Sequence, residues 1–199
     1  MKKYQFYFDF LSPYSYFGFV KLQRFLGNHP NSIKIVYKPL LMTSLFSHWG
    51  ITPPGIIPPK RKYVTKVLFE LSKQAKIKFS HPKEFPFNSS LILKTGTLVN
   101  CENAKVQEQV IKTFFEAVWL KNLNCEEEAE IKELLIKSDL KPDLIENLDP
   151  IQTKKELKAN LKEAISKDIF GVPTLINESD PENMHWGQDQ IDNYLNTTL

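Results

Sequence analysis

Residues Tyr4 to Phe10 alternate, with Tyr4, Phe6, Phe8 and Phe10 on one side and Gln5, Tyr7 and Asp9 on the other. A period of two in bulky aromatic residues is that of a β-strand with one face committed to a core. Ser12 then precedes Pro13, the arrangement of an N-cap followed by proline at the first helical position, and Phe19, Leu22 and Leu26 recur at helical spacing before Gly27 and Asn28. Ile33 to Lys38 reads as a second strand stopped by Pro39. Strand, helix and strand in this order form a βαβ unit, whose crossover follows the usual right-handed rule.

Downstream the pattern changes. Between Thr43 and Pro59 the chain is expected to be irregular, because Pro53-Pro54-Gly55 and Pro58-Pro59 cannot continue either regular structure. From about Lys60 to Asp149 the spacing is helical throughout: Val64, Val67, Leu68, Leu71 and Ala75, then Val106, Val110, Phe114 and Ala117, then Ile131, Leu134 and Leu135. Leu157, Leu161, Ala164 and Ile165 mark one more amphipathic helix before Phe170-Gly171. Val172 to Ile176 is then β-branched and apolar, Met184 to Trp186 suits a short strand, and Gln188 to Leu195 a last helix. The expected organisation is an α/β domain from residues 1–59 and 165–199, interrupted by a helical insertion over 60–164.

Several classes of function find no support. A net charge of +3, spread along 199 residues, gives no basic block for nucleic acid or a membrane surface. No run approaches the ~20 apolar residues that span a bilayer. Met1-Lys2-Lys3 begins like a secretion signal, but the aromatic residues and Asp9 that follow, without a small-residue cleavage site, point to the cytoplasm. Cys101 and Cys125 form no Cys-x-x-Cys pair and read as core or helix-surface residues. His29, His48, His81 and His185 lack metal-ligand spacing, and no Gly-rich phosphate loop or G-x-S-x-G elbow is present. Phe114, Phe115 and Trp119, at helical spacing, read as core.

Three short segments carry polar groups where chemistry could occur. Ser12-Pro13-Tyr14-Ser15 stands where a strand hands over to a helix N-terminus, a place that favours negative charge. A thiol held there would ionise more easily, and a Ser12 hydroxyl would add a charge-assisted hydrogen bond to the thiolate. Ser12 is equally well explained as an N-cap. Gly171-Val172-Pro173-Thr174 sets a proline at the start of an apolar strand, where it removes a ladder donor. A trans strand-start proline explains it in isolation; a cis bond would instead turn the Val172 backbone outward to pair with an extended ligand. Trp186-Gly187-Gln188-Asp189 opens the last helix, where Asp189 either complements the helix dipole or holds a ligand ammonium.

Taken in order, Phe6-Tyr7-Phe8-Asp9-Phe10-Leu11-Ser12-Pro13-Tyr14-Ser15-Tyr16, Phe170-Gly171-Val172-Pro173-Thr174 and Trp186-Gly187-Gln188-Asp189 resemble the 2-hydroxychromene-2-carboxylate isomerase and kappa-class glutathione transferase families. Pro53-Pro54-Gly55, Lys60-Arg61-Lys62-Tyr63 and Phe85-Pro86-Phe87-Asn88-Ser89 fall in the order those families use, so the resemblance spans nearly the whole chain. It implies a DsbA-like thioredoxin fold with an inserted all-helical domain. It implies that glutathione is the cofactor, with Ser12 at its sulfur, a cis Pro173, and Val172 paired to its cysteinyl backbone. Gln188 and Asp189 would hold the γ-glutamyl end, Tyr14 and Lys60 would join the glutathione site, and Asn88 would lie near the substrate. Because Ser12 and Ser15 replace both cysteines of the oxidoreductase tetrapeptide, no mixed disulfide can form there.

The activity this resemblance implies is a glutathione-dependent isomerisation, by thiolate addition and elimination on an aromatic pyruvate-type substrate. The alternatives are a transferase that releases a glutathione conjugate of an electrophile, and a non-catalytic glutathione-binding protein. A homodimer is in keeping with such relatives. The chain departs from the family pattern at Ile51, where an asparagine is usual, at Val67, Glu70 and Leu71, where the isomerases tend to have Asp, Arg and Trp, and at Lys94 and Gln190, where arginine is common. The change at Ile51 removes one expected contact to glutathione or substrate; together the changes leave the glutathione site largely in place and weaken the assignment of a substrate.

Overall fold

The computed structural model describes residues 1–98, 104–123, 125–146 and 149–198. Four strands form one sheet in the order β2-β1-β3-β4, with β1 Lys2–Phe8, β2 Ile33–Pro39, β3 Thr174–Asn177 and β4 Asp180–Trp186. β1 pairs in parallel with β2 and antiparallel with β3, which pairs antiparallel with β4. The parallel pair is joined by α1, Pro13–Asn28, as the βαβ pattern requires. Sharing ladders on both edges and buried on both faces, β1 is the axis of the sheet.

The expected strand was two residues out of step. Asp9 and Phe10 leave the ladder because the Asp9 carboxylate turns back to accept from the Leu11 N–H, at 2.9 Å, and Ser12 N–H donates to the Asp9 carbonyl at 3.1 Å. This closes an Asx-type turn that ends the strand and delivers Ser12 to the start of α1. Val172 and Pro173 likewise stand outside β3, which begins at Thr174 once the chain again has an N–H to offer.

The segment expected to be irregular from Thr43 contains a helix, α2, Met42–Trp49. Its prolines constrain the chain only from Thr52 onward, and Leu45, fully buried, docks α2 on the sheet. Helices α3 Pro58–Ala75, α4 Ser90–Leu98, α5 Ala104–Trp119, α6 Glu128–Lys137, α7 Asp143–Glu146 and α8 Pro150–Ser166 follow, and α9 Gln188–Thr198 closes the chain. The stretch between α3 and α4, expected to be helical, is not; it contains a cis Phe85–Pro86 bond.

Both faces of the sheet are buried, against different partners. Tyr4, Phe6 and Phe8 join Phe10, Phe19, Tyr37, Phe114, Phe115 and Trp119 in the larger core. Phe10 and Phe115 lie 4.8 Å apart and tilted, and Phe8 meets Phe10 edge-on at 5.2 Å, arrangements that suit the ring quadrupoles. On the other face Tyr7 and Ile176 pack with Leu40, Leu45, Ala164, Ile169 and Val172 under α2 and α8. Cys125 is buried in the larger core and burial pushes its thiol up to about 12, so it is no nucleophile at neutral pH. Cys101 lies outside the described residues.

The second face also carries charge. Glu163 on α8 accepts from Gln5 Nε2 and Lys38 Nζ, both at 2.9 Å, and from Lys167 Nζ at 2.6 Å. Desolvation would raise the Glu163 pKa, but the hydrogen bonds from Lys167, Lys38 and Gln5 outweigh it and hold the carboxyl at about 2, against an ordinary value of 4.5. A depressed acid contributes stability that is present above its unfolded value and is lost as pH falls toward its folded value. Thermal melts between pH 5 and pH 2 are therefore expected to show a steeper loss of stability in the wild type than in Glu163→Gln. Parallel curves would remove this network from the acid response.

Candidate active site

Ser12 is the N-cap of α1: its backbone is extended, with φ −90° and ψ 113°, and its Oγ accepts from the Ser15 N–H at 3.2 Å. The same hydroxyl points its proton at the Val172 carbonyl, 3.4 Å away, a contact too long to hold it firmly. The Val172–Pro173 bond is cis. The hydroxyl at the tip of a 16-residue helix and the carbonyl before Pro173 thus face each other across 160 residues of sequence.

Several contacts hold this meeting point in place. Phe10, two residues before Ser12, has its carbonyl fixed by Trp119 Nε1 of α5 at 3.0 Å. Gly18 of α1 lies against Pro173, where an added Cβ would be only 3.1 Å from Pro173 Cγ, so the helix can approach the loop this closely only without a side chain there. The Pro173 carbonyl accepts from Gly187 N–H at 2.9 Å, which brings the start of α9 to the same place.

At that start, Gln188 is buried and its Oε1 has no hydrogen-bond partner among the described residues. A buried acceptor left unpaired carries a cost that a ligand donor would relieve. Asp189 is exposed in the first turn of α9. Burial raises the Tyr14 pKa, and the neighbouring Asp189 carboxylate and Tyr63 hydroxyl raise it further, so Tyr14 keeps its proton at neutral pH. Tyr14 is thus near enough to Asp189 and Tyr63 for their charge to act on it.

Ser12, Val172 and Pro173 are therefore brought together, with Gln188, Asp189 and Tyr14 beside them. Lys60 is exposed in the first turn of α3 and Asn88 is exposed before α4. Neither has a hydrogen bond to the Ser12 group among the described residues. Asn88 instead caps locally: its Oδ1 accepts from the Ser90 N–H at 3.0 Å, and its own N–H donates to Glu126 at 2.6 Å. Two residues not singled out from the sequence join the site's frame. Tyr63 does so through Tyr14, and Asp9, fully buried, through its hydrogen bonds to Leu11 and Met42. An acid ending an otherwise aromatic strand was the available signal for Asp9. Among the described residues, no group of His, Cys, Asp and Glu could hold a metal ion, and no helix is long and apolar enough to cross a membrane.

Known proteins resemble this chain in sequence and fold. Residues 4–197 match the DSBA-like thioredoxin domain. Glutathione S-transferase kappa 1 of Homo sapiens is 27% identical over 199 residues, covering 94% of this chain and 86% of the relative. The protein of the same name from Rattus norvegicus is 26% identical with the same coverage. Among solved structures, 2-hydroxychromene-2-carboxylate isomerase superposes with a TM-score of 0.82 at 21% identity, covering 95% of this chain and 90% of that one.

Gly187 provides a test of how α9 begins. Its φ is +95°, and a Cβ there would lie 2.8 Å from Asp189 Oδ1. Gly187→Ala is expected to cost about 1–3 kcal/mol from the backbone conformation alone. At this chain length that lowers the melting temperature by about 2–4 °C per kcal/mol. Calorimetric melting checks it, and an unchanged melting temperature would show that the turn relaxes freely.

Proposed function

Because this chain belongs to the DSBA-like thioredoxin domain family and lacks a Cys-x-x-Cys pair at the start of α1, we propose that it is a glutathione-dependent enzyme acting on electrophilic carbon. The observation that carries this reading is the Ser12 hydroxyl, at a helix N-terminus, with its proton on a long 3.4 Å contact to the Val172 carbonyl. Such a proton can be redirected to a sulfur anion at little cost. The curated relatives, named as kappa-class glutathione transferases, favour conjugation as the outcome.

The residues present fit glutathione. The unpaired Gln188 Oε1 is an acceptor that matches the ammonium of a γ-glutamyl group, and the Asp189 carboxylate at the same helix start adds the opposite charge. When bound, glutathione supplies the nucleophile: its thiol gives up a proton to solvent, its sulfur forms the new C–S bond, and the leaving group departs with its electron pair. Ser12 donates its hydroxyl hydrogen to the sulfur and, with the N-terminal amides of α1, favours the anion over the thiol. Tyr14, protonated at neutral pH, offers a second hydroxyl at the rim. The Val172 backbone would pair with the extended cysteinyl unit, and Pro173 packs against α1 at Gly18, so the sulfur would be oriented as well as ionised. Lys60, exposed in the first turn of α3, would meet the glutathione carboxylates, and Asn88, exposed before α4, would serve the electrophile.

Isomerisation of an aromatic pyruvate-type substrate is the second reading, supported by the likeness to the isomerase fold. It shares the addition step and then expels the sulfur. Val67, Glu70 and Leu71, which depart from the isomerase pattern on α3, weigh against it.

A hydrogen bond to an ionised group contributes roughly 1.5–3 kcal/mol, or about one to two pH units in the thiol midpoint. Ser12→Ala should therefore shift the ultraviolet thiolate titration of the bound tripeptide upward by that amount and lower turnover at neutral pH by about tenfold or more. An unchanged titration would remove Ser12 from the mechanism. Mass spectrometry of products separates the outcomes: a conjugate is expected, and converted substrate with free glutathione fully recovered would establish the isomerase instead.

A further inference from the structure

The loop over residues 169–173 carries the cis Val172–Pro173 bond, and two tryptophans hold it. Trp49, the last residue of α2, donates from Nε1 to the Ile169 carbonyl at 2.9 Å, across 120 residues of sequence. Ile169 is fully buried and its N–H donates to the Ala164 carbonyl at 3.0 Å, so its backbone is tied to α8 through the amide and to α2 through the carbonyl. Two positions on, the Trp186 indole lies against Gly171, where an added Cβ would be 2.5 Å from Trp186 Nε1, and Phe170 meets the same indole edge-on at 4.8 Å. The Gly171 carbonyl accepts from Thr174 Oγ1 at 2.7 Å, and the Pro173 carbonyl from the Gly187 N–H at 2.9 Å. Between these fixed points Val172 is buried, yet its N–H has no hydrogen-bond partner among the described residues, and its carbonyl has only the long contact from Ser12. We propose that Trp49 is a positioning residue of the glutathione site, holding the 169–173 loop in the course that leaves the Val172 N–H and carbonyl free to pair with the ligand. This rests on the reading of the Val172 backbone as the partner of the cysteinyl unit.

The chemistry of the group suits the task. An indole N–H is a donor with no acceptor function, on a side chain with two rotatable bonds, so it fixes a carbonyl with little freedom left over. The packing of α2 is carried by Leu45, whereas Trp49 is 39% exposed, belongs to neither core, and meets His48 edge-on at 4.8 Å. At so open a place water can replace a lost donor, and the bond adds little to the stability of the fold. Its effect falls on the loop. A backbone already held in its pairing course has less ordering left to do when a ligand adds to it as an extended strand.

Trp49→Phe keeps an aromatic ring and removes the N–H. It should weaken glutathione binding, by calorimetry, about three- to tenfold. The thiolate titration of the bound tripeptide should stay within about 0.3 pH unit of wild type, because Ser12 and the tip of α1 are untouched. His48→Ala strips the neighbouring ring and spares the bond, and should bind glutathione within about twofold of wild type. A glutathione methylated on the cysteinyl amide nitrogen tests the route. It cannot donate to the Val172 carbonyl, so it should lose more affinity for the wild type than for Trp49→Phe, whose loop no longer aims that carbonyl. Four results overturn the proposal: wild-type affinity in Trp49→Phe, a His48→Ala as weak as Trp49→Phe, equal losses of the methylated ligand in both proteins, or a Trp49→Phe that does not fold, which would assign the residue to the scaffold. A wild type that does not bind glutathione sinks the underlying reading and this one with it. A wild type that binds, with its titration moved by Ser12→Ala, beside a Trp49→Phe of equal affinity, sinks this one alone.

Discussion

Everything at the site depends on β1 holding ladders on both of its edges. Pairing with β2 sets the strand–helix–strand unit that aims α1, and pairing with β3 fixes Tyr7 opposite Thr174. Both strands then leave the sheet on the same side, one into the Asp9 turn and the other backward through Pro173 and Val172. Two residues 160 positions apart are placed face to face by sheet register, not by any local preference. The burial of β1 on both faces makes that register hard to change, since a one-residue slip would exchange its aromatic face with the Gln5–Tyr7 face.

Around this junction the polar groups are unevenly satisfied. Asp9 and Glu163 each accept several hydrogen bonds, and both do structural work. Ser12 and Gln188, by contrast, have hydrogen-bonding capacity to spare: one holds its proton on a long contact and the other buries a lone acceptor. Fully satisfied networks hold a backbone in place, and groups with spare capacity are where a ligand gains most. Asp9 stands three positions before Ser12, which is how a rigid frame can present a receptive surface.

Much of this was legible in the sequence. The aromatic alternation, the Ser12-Pro13 helix start and the Ile33–Lys38 strand lie where the spacing put them, because period and capping are local properties. The ends of β1 and β3 were not legible. They are set by Asp9 folding back on Leu11 and by the chain geometry at Pro173, and neither is a matter of periodicity. Helix α2 was hidden by the prolines that follow it; it forms because Leu45 finds a place in the second core and Met42 finds the Asp9 carboxylate. The cis state of Val172–Pro173 followed from family resemblance and not from the residues taken alone. The influence of Tyr63 and Asp189 on Tyr14 depends on the packing of α1, α3 and α9, which no single segment encodes.

The central claim is that a helix tip and one serine hydroxyl together receive the sulfur of a bound tripeptide. A crystal structure with glutathione soaked in tests it most directly. The account predicts the sulfur within hydrogen-bonding distance of Ser12 Oγ, the cysteinyl backbone paired with Val172, and the γ-glutamyl ammonium against Gln188 and Asp189. Glutathione bound with its sulfur away from Ser12, or with its backbone unpaired to Val172, would contradict it.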